Sequence, residues 1–273
     1  MENKKILYIS QEIAPYLPES PMALYGRELP QNVQEKGYEV RTFMPKYGCI
    51  NERRNQLHEV IRLSGMNIII DDSDHPLIIK VATLQPSRMQ VYFIDNDDYF
   101  QRAGAKQLET VTSPHDNDER MMFFAKGVIE TVKKLRWDPA VIHCTGWIST
   151  LVPMYVKRMY QDDPALAKSK IIYSLRPERF EGALDIRLVE KLKSLQFPKD
   201  DLEALGTEPA DNTALNKLAI LHSDAVVISS PDVDPLLVEY AKSLSKPILE
   251  YPGEEEYADK YSEFYTSLVE EGK

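Results

Sequence analysis

The chain has 273 residues, 43% hydrophobic and 28% charged, the balance of a globular protein large enough to bury its own core. Its formal net charge of −10 argues against broad nucleic-acid binding, which needs clustered Lys and Arg, and against docking on anionic membranes. Cys49 and Cys144 lack the spacing of a disulfide framework or zinc site, no apolar h-region follows Met1, and no apolar run approaches the roughly 20 residues of a membrane span, so a soluble, reduced, cytoplasmic protein is expected.

Ile6–Ser10 reads as a buried first strand, and Pro21–Lys36 as the helix that follows it. Ser20 is placed to cap that helix, Pro21 occupies its first turn, Pro30 should kink it and Gly37 should close it. Further strands are predicted at Glu39–Met44, Ala140–His143, Lys170–Ser174, Ala225–Ile228 and Pro247–Glu250. Between them, Glu59–Leu63, Asn67–Ile70 and Leu77–Ala82 read as inserted antiparallel strands, with Asp71-Asp72 in a turn and Val91–Asp95 rejoining the main sheet. Helical periodicity marks Asp116–Arg136, with Asp116 as its cap, then Trp147–Tyr160, Leu184–Leu195 and an acidic Glu254–Glu271. The expected class is α/β: a Rossmann-like, mostly parallel sheet with helices on both faces and an inserted antiparallel hairpin region. Residues 1–250 form a single domain in this reading, and 251–273 an acidic C-terminal helix.

In such a sheet, ligands bind at the carboxyl ends of the strands. The loop after the first strand, Gln11 to Pro21, lies at that edge. A phosphate-binding turn there uses glycines so that backbone N–H groups can approach the anion. Pro18-Glu19-Ser20-Pro21 instead removes two donors and adds a negative charge.

His143-Cys144-Thr145-Gly146-Trp147 occupies a second strand-to-helix junction on the same edge. Trp147 offers a sugar-stacking surface or an anchor for the helix, and His143 is a ligand contact or a core histidine. Cys144 is poorly placed to pair with His143, because adjacent strand residues point to opposite faces. Arg176, beside Glu178 and Arg179, is either an anion-holding group or part of a surface salt-bridge cluster. Asp71-Asp72 with Asp74 and His75 has a metal-like composition, but without a closing glycine and glutamate it reads better as a hairpin turn. His115 near Asp116 and Asp118 is likewise not read as a metal site.

Several separated segments together resemble the opening half of bacterial glycogen and starch synthases. They are Gln11-Glu12-Ile13-Ala14-Pro15, Leu29-Pro30, Gly37-Tyr38-Glu39-Val40, Met44-Pro45-Lys46-Tyr47, Trp137–His143 through Trp147, and Leu221–Val226. The resemblance implies half of a GT-B fold and transfer of glucose from ADP-glucose to an α-1,4-glucan. It assigns ligand contact to Gln11, Glu12, His143, Thr145, Gly146, Trp147 and Arg176, names no catalytic residue, and implies neither cofactor nor metal.

The departures fall on the family's functional motifs. Its Lys-Thr-Gly-Gly-Leu donor loop aligns with Pro18–Met22, its His-Ala-His-Asp-Trp motif keeps only His143 and Trp147, and its later His-Asn pair aligns with Arg176-Pro177. The chain is also expected to end after roughly the first GT-B domain. The expected function is therefore that of a catalytically degenerate relative, binding a glucan or metabolite or acting as a regulatory partner. The alternative is a working glycosyltransferase with altered donor chemistry, or with a second domain from another chain. Ligands under these readings are an α-glucan or a nucleotide sugar. A protein partner or a homo-oligomer is a further expectation, and an oligomerisation domain a third class.

Overall fold

The computed structural model describes residues 4–101, 116–206, 208–253, 255 and 257–270. The strands are β1 (Lys5–Ser10), β2 (Glu39–Pro45), β3 (His58–Glu59), β4 (Met66–Ile70), β5 (Ser73–Leu84), β6 (Met89–Asp95), β7 (Val141–Thr145), β8 (Lys170–Leu175), β9 (Ala225–Ile228) and β10 (Ile248–Leu249). They form one sheet in the order β10-β9-β8-β7-β1-β2-β6-β5-β3, with β4 also paired to β5. From β10 to β6 every neighbouring pair is parallel, whereas β3, β4 and β6 all pair antiparallel with β5. The central strands are apolar on both faces, as a sheet covered on both sides requires.

The helices are α1 (Pro21–Glu35), α2 (Asn117–Lys134), α3 (Val152–Met159), α4 (Leu188–Ser194), α5 (Asn212–His222), α6 (Pro235–Ser243) and α7 (Tyr257–Glu270). Register assigns them to faces. Tyr8 and His143 are partners on β1 and β7, and both meet tyrosines of α7. The next residue along each of β7 and β8 points the other way, and Tyr173 donates to Asn216 on α5 at 2.9 Å. Thus α1 and α7 cover one face, and α2, α3 and α5 the other.

Helix α1 starts as its sequence dictates. Ser20 accepts a hydrogen bond from the Ala23 amide at 3.0 Å, Pro21 fills the first turn, and Gly37 takes a positive φ of 90° just past the end. The helix is unbroken through Pro30, a residue buried with its apolar stripe.

Other segments differ from expectation. The region read as one helix over Trp147–Tyr160 is a 3₁₀ turn, Trp147–Ser149, followed by α3. Pro153 lacks an amide hydrogen and suits only a first turn, so the α-helix begins at Val152. The run read as strand Glu59–Leu63 is extended only at His58–Glu59; it then turns outward, leaving Ile61 82% exposed. Leu77–Ala82 is the middle of the longer β5, which bridges the β4 hairpin and the main sheet. Asp71-Asp72 forms the hairpin turn, with Asp71 at φ 51°.

Helix α2 begins after Asp116, but the Asp116 side chain makes no cap hydrogen bond. The second helical run after Phe197 is 3₁₀, at Lys199–Leu205. His115 lies outside the described residues, as do Glu254, Glu256 and Glu271 at the edges of the acidic helix. Among the described residues, no helix is long and apolar enough to cross a membrane.

Helix α7 is part of the core. Tyr261, Tyr265 and Leu268 are buried, and Tyr38 on the approach to β2 shares a 3.0 Å hydrogen bond with Thr266. Replacing Tyr265 by Ala is expected to cost about 3–5 kcal/mol, the range for truncating a large buried ring. Tyr265→Phe is expected to cost about 1–3 kcal/mol, because it leaves polar partners unsatisfied. Equilibrium urea unfolding checks both values. Loss of less than about 0.5 kcal/mol for the Ala variant would place α7 outside the cooperative fold.

Candidate functional site

Strand order reverses around β1: β2 and β6 lie on one side of it, and β7 to β10 on the other. The crevice at such a reversal, beyond the carboxyl ends of β1 and β7, is the topological switch point of the sheet. Two predicted groups of residues meet there. Gln11 follows β1, and its amide donates to the Thr145 carbonyl at 3.1 Å. Gly146 follows β7 with φ 87°, and a Cβ on it would lie 2.5 Å from the Gln11 Cβ. Only glycine permits that approach.

The turn is closed from within. Tyr47 donates its hydroxyl to the Gln11 carbonyl at 3.1 Å, and Gln11 Nε2 donates to Glu12 Oε1 at 3.3 Å. Ser20 donates to Glu12 Oε2 at 2.8 Å while it caps α1. The loop runs so close to α1 that a Cβ on Gly26 would fall 2.2 Å from the Glu12 carbonyl oxygen. Gln11, Glu12, Thr145 and Trp147 are all buried. Trp147 meets Phe180 edge-on at 5.5 Å, and neither ring offers an open face.

His143 lies beneath this turn, fully buried on the α1–α7 face. Its Nδ1 is 2.6 Å from the Tyr265 hydroxyl and its Nε2 is 2.5 Å from Ser174 Oγ. The chain extends both ways: Tyr265 to Tyr8 at 3.0 Å, Ser174 to Tyr25 at 2.8 Å, and Tyr25 to Tyr261 at 2.9 Å. The imidazole stacks on Tyr261, with centroids 6.0 Å apart and planes 24° apart. Burial holds its pKa down to about 3 from the ordinary 6.5. Cys144 points to the opposite face, and burial pushes its thiol well up, so it is no nucleophile.

Arg176 extends from the end of β8. Its Nε and Nη2 donate to the two carboxylate oxygens of Glu178 at 3.0 and 2.9 Å, and its guanidinium lies 4.9 Å over the Tyr25 ring. Unlike the other predicted residues, it borders an open cleft of about 560 Å³. Residues with no assigned role form the other walls: Glu28 and Tyr25 of α1, Asp232 after β9, and Tyr251, Tyr257 and Tyr261. A sequence signal for part of this wall existed. Tyr257, Tyr261 and Tyr265 recur every fourth residue and share one helix face. The structure therefore divides the predicted site into a sealed switch-point turn, a buried histidine chain and a cleft touched by Arg176.

Among the described residues, no group of three or more His, Cys, Asp or Glu could hold a metal ion. His75 instead shares hydrogen bonds with Asp98 at 3.0 Å and Tyr99 at 3.0 Å.

A family model described as the starch synthase catalytic domain matches residues 5–242. The chain belongs to this family. Glycogen synthase of Chlorobium limicola is 33% identical over 256 residues, covering 90% of this chain and 52% of that protein. Glycogen synthase of Chlorobaculum tepidum is 35% identical over 231 residues, covering 84% and 46%. The chain thus spans about half the length of the curated relatives it matches. A solved structure described as the catalytic domain of starch synthase IV from Arabidopsis thaliana, bound to ADP and acarbose, superposes with a TM-score of 0.69. At 17% identity, over 92% of this chain and 51% of that one, it supports the shared fold alone. The starch synthase match and the mostly parallel sheet together fit the N-terminal domain of a GT-B enzyme.

The buried histidine gives a pH test. Its folded pKa lies below the unfolded value, so the folded chain binds fewer protons. The stability at stake is fully present above about pH 6.5 and is lost as pH falls toward about 3. From this group alone, the protein should lose about 2 kcal/mol between about pH 7 and about pH 5. His143→Gln should start less stable but fall less steeply over that range in urea titrations at fixed pH. An unchanged slope would mean that His143 titrates alike in both states.

Proposed function

We propose that this chain is a glucan- or metabolite-binding member of the starch synthase family that does not transfer glucose by itself. One observation carries the reading: Pro18-Glu19-Ser20-Pro21 stands at the start of α1, where the family's donor loop has Lys-Thr-Gly-Gly, and Ser20 is spent on the Ala23 amide and the Glu12 carboxylate. A helix N-terminus attracts a diphosphate through free amides and partial positive charge. Here the Ala23 amide is spent on Ser20, Pro18 and Pro21 have no amide hydrogen, and Glu19 adds a negative charge. Retaining glucosyl transfer builds charge on the leaving diphosphate, and preorganised cations or dipoles must meet it. Arg176 stands at the neighbouring strand end, but its fork is engaged by Glu178.

Membership of the family, with relatives named glycogen synthase, favours a second reading. That reading is a working glucosyltransferase with altered donor chemistry, or one whose other half is supplied by another chain.

Calorimetry and a glucan-elongation assay separate the two. Maltooligosaccharides are expected to bind. ADP-glucose is expected to give no saturable heat up to about 1 mM, the upper end of ordinary substrate affinities, and no elongation. Saturable ADP-glucose binding coupled to elongation by this chain would overturn the proposal in favour of the second reading.

A further inference from the structure

The cleft between α1 and α7 differs in kind from the sealed turn beside it. One wall comes from α1 and the ends of β8 and β9. The facing wall, Tyr251 to Tyr261, lies beyond residue 242, where the match to the family model ends. At about 560 Å³ the cleft falls within the range of small-molecule sites, about 300–1,000 Å³.

One corner of it already holds a cation of the protein itself. The Arg176 guanidinium lies 4.9 Å over the Tyr25 ring and is forked onto the Glu178 carboxylate at 3.0 and 2.9 Å. An aromatic face and a carboxylate together satisfy an organic cation, the first through its ring quadrupole and the second through its charge.

The same two kinds of group recur across the cleft with no cation of the protein between them. Tyr251 is 38% exposed and offers an open ring. Tyr257 is half-buried; burial is the main cause that pushes its phenol up to about 12, and the charge of Glu28 adds to the rise, so that carboxylate reaches the ring. Glu28 and Asp232 are exposed and make no ion pair among the described residues. Lys260 donates to the Pro252 carbonyl at 2.8 Å and is not part of the lining. With Arg176 neutralised by Glu178, the uncompensated charge of the wall is that of two carboxylates.

Charge and shape then select the ligand. An anion meets repulsion, and a neutral molecule can use the rings but leaves both carboxylates uncompensated. A cation uses both. Two carboxylates call for more than one ammonium group, and Leu24, Pro231 and Pro252 give the cleft apolar stretches that suit a methylene chain.

We propose that this cleft binds an aliphatic oligoamine, with its ammonium groups on Glu28 and Asp232 and the chain between them along Tyr251. The proposal does not depend on whether the protein binds glucan or transfers glucose.

The test is calorimetry on the full chain with spermidine, an aliphatic triamine, and with triethylene glycol, an uncharged chain of similar length. Spermidine is expected to bind saturably at about 0.15 M salt, and the glycol not to bind. Tyr251→Ala, Glu28→Gln and Asp232→Asn are each expected to weaken spermidine about threefold or more, and Tyr251→Phe to stay within about twofold of the parent. A net charge of −10 also attracts amines without any site. Glu203→Gln removes the same charge from the Lys199–Leu205 turn, which packs on α5 at the other face of the sheet, and is expected to leave spermidine affinity unchanged. All four side chains are exposed, so unchanged melting temperatures should accompany these effects. Absence of saturable spermidine binding to the parent chain would overturn the proposal. So would unchanged affinity in the three cleft variants, or a loss in Glu203→Gln equal to theirs. Equal binding of the glycol and spermidine would overturn the assigned ligand class.

Discussion

The hydrogen-bonded chain Tyr8–Tyr265–His143–Ser174–Tyr25–Tyr261 is the constraint on which the α1–α7 half of the molecule depends. It threads β1, α7, β7, β8 and α1 through the core. Burying any one of these hydroxyls without a partner would cost about 1–3 kcal/mol, and an ionised histidine far more. Each group is satisfied only if all the elements sit in one arrangement. The chain thus acts as a specificity device, fixing where α7 lies on the sheet. Apolar packing alone would tolerate α7 sliding by a turn; this polar chain does not.

Two different surfaces follow from that placement. At the switch point the loops after β1 and β7 meet directly: the Gln11 amide donates to the Thr145 carbonyl, Gly146 lies against the Gln11 side chain, and Glu12 accepts from Ser20. Beside it, α7 stops short of covering the ends of β8 and β9, and the gap becomes the tyrosine-lined cleft. Tyr25 and Tyr261 belong to both the core chain and the cleft wall, so that wall is held rigid. A ligand entering it spends little on ordering the residues that receive it.

The frame was readable because it rests on local rules. Alternation of apolar runs with helical periodicity marks β1, β2, β7, β8 and β9, and Ser20, Pro21 and Gly37 punctuate α1. The errors arose where a local rule met a tertiary demand. Trp147 continues a helical pattern, but the close approach of Gly146 to Gln11 and the position of Pro153 restrict that stretch to a 3₁₀ turn before α3. Val60–Leu63 is β-branched and apolar enough for a strand, yet it has no partner along β5 beyond Val60. Sequence left two roles open for His143, and the deciding partner, Tyr265, is 122 residues away. The cleft was less legible still, because its walls come from segments around residues 25, 176, 230 and 255 that no motif links.

Families built on one fold vary their function through what is grafted at the strand ends. In this chain residues beyond the family match supply α7, which completes the core, and one wall of the cleft. The two roles constrain each other. Tyr261 and Tyr265 are fixed by the hydrogen-bond chain, so the position of Tyr257, one turn earlier on the same helix, is fixed with them. Tyr251, outside the helix and half out in solvent, is free of that chain. Substitutions at Tyr251, Asp232 and Glu28, which are exposed, would therefore leave the core undisturbed. A change at Tyr25 or Tyr261 would alter the cleft wall and stability together.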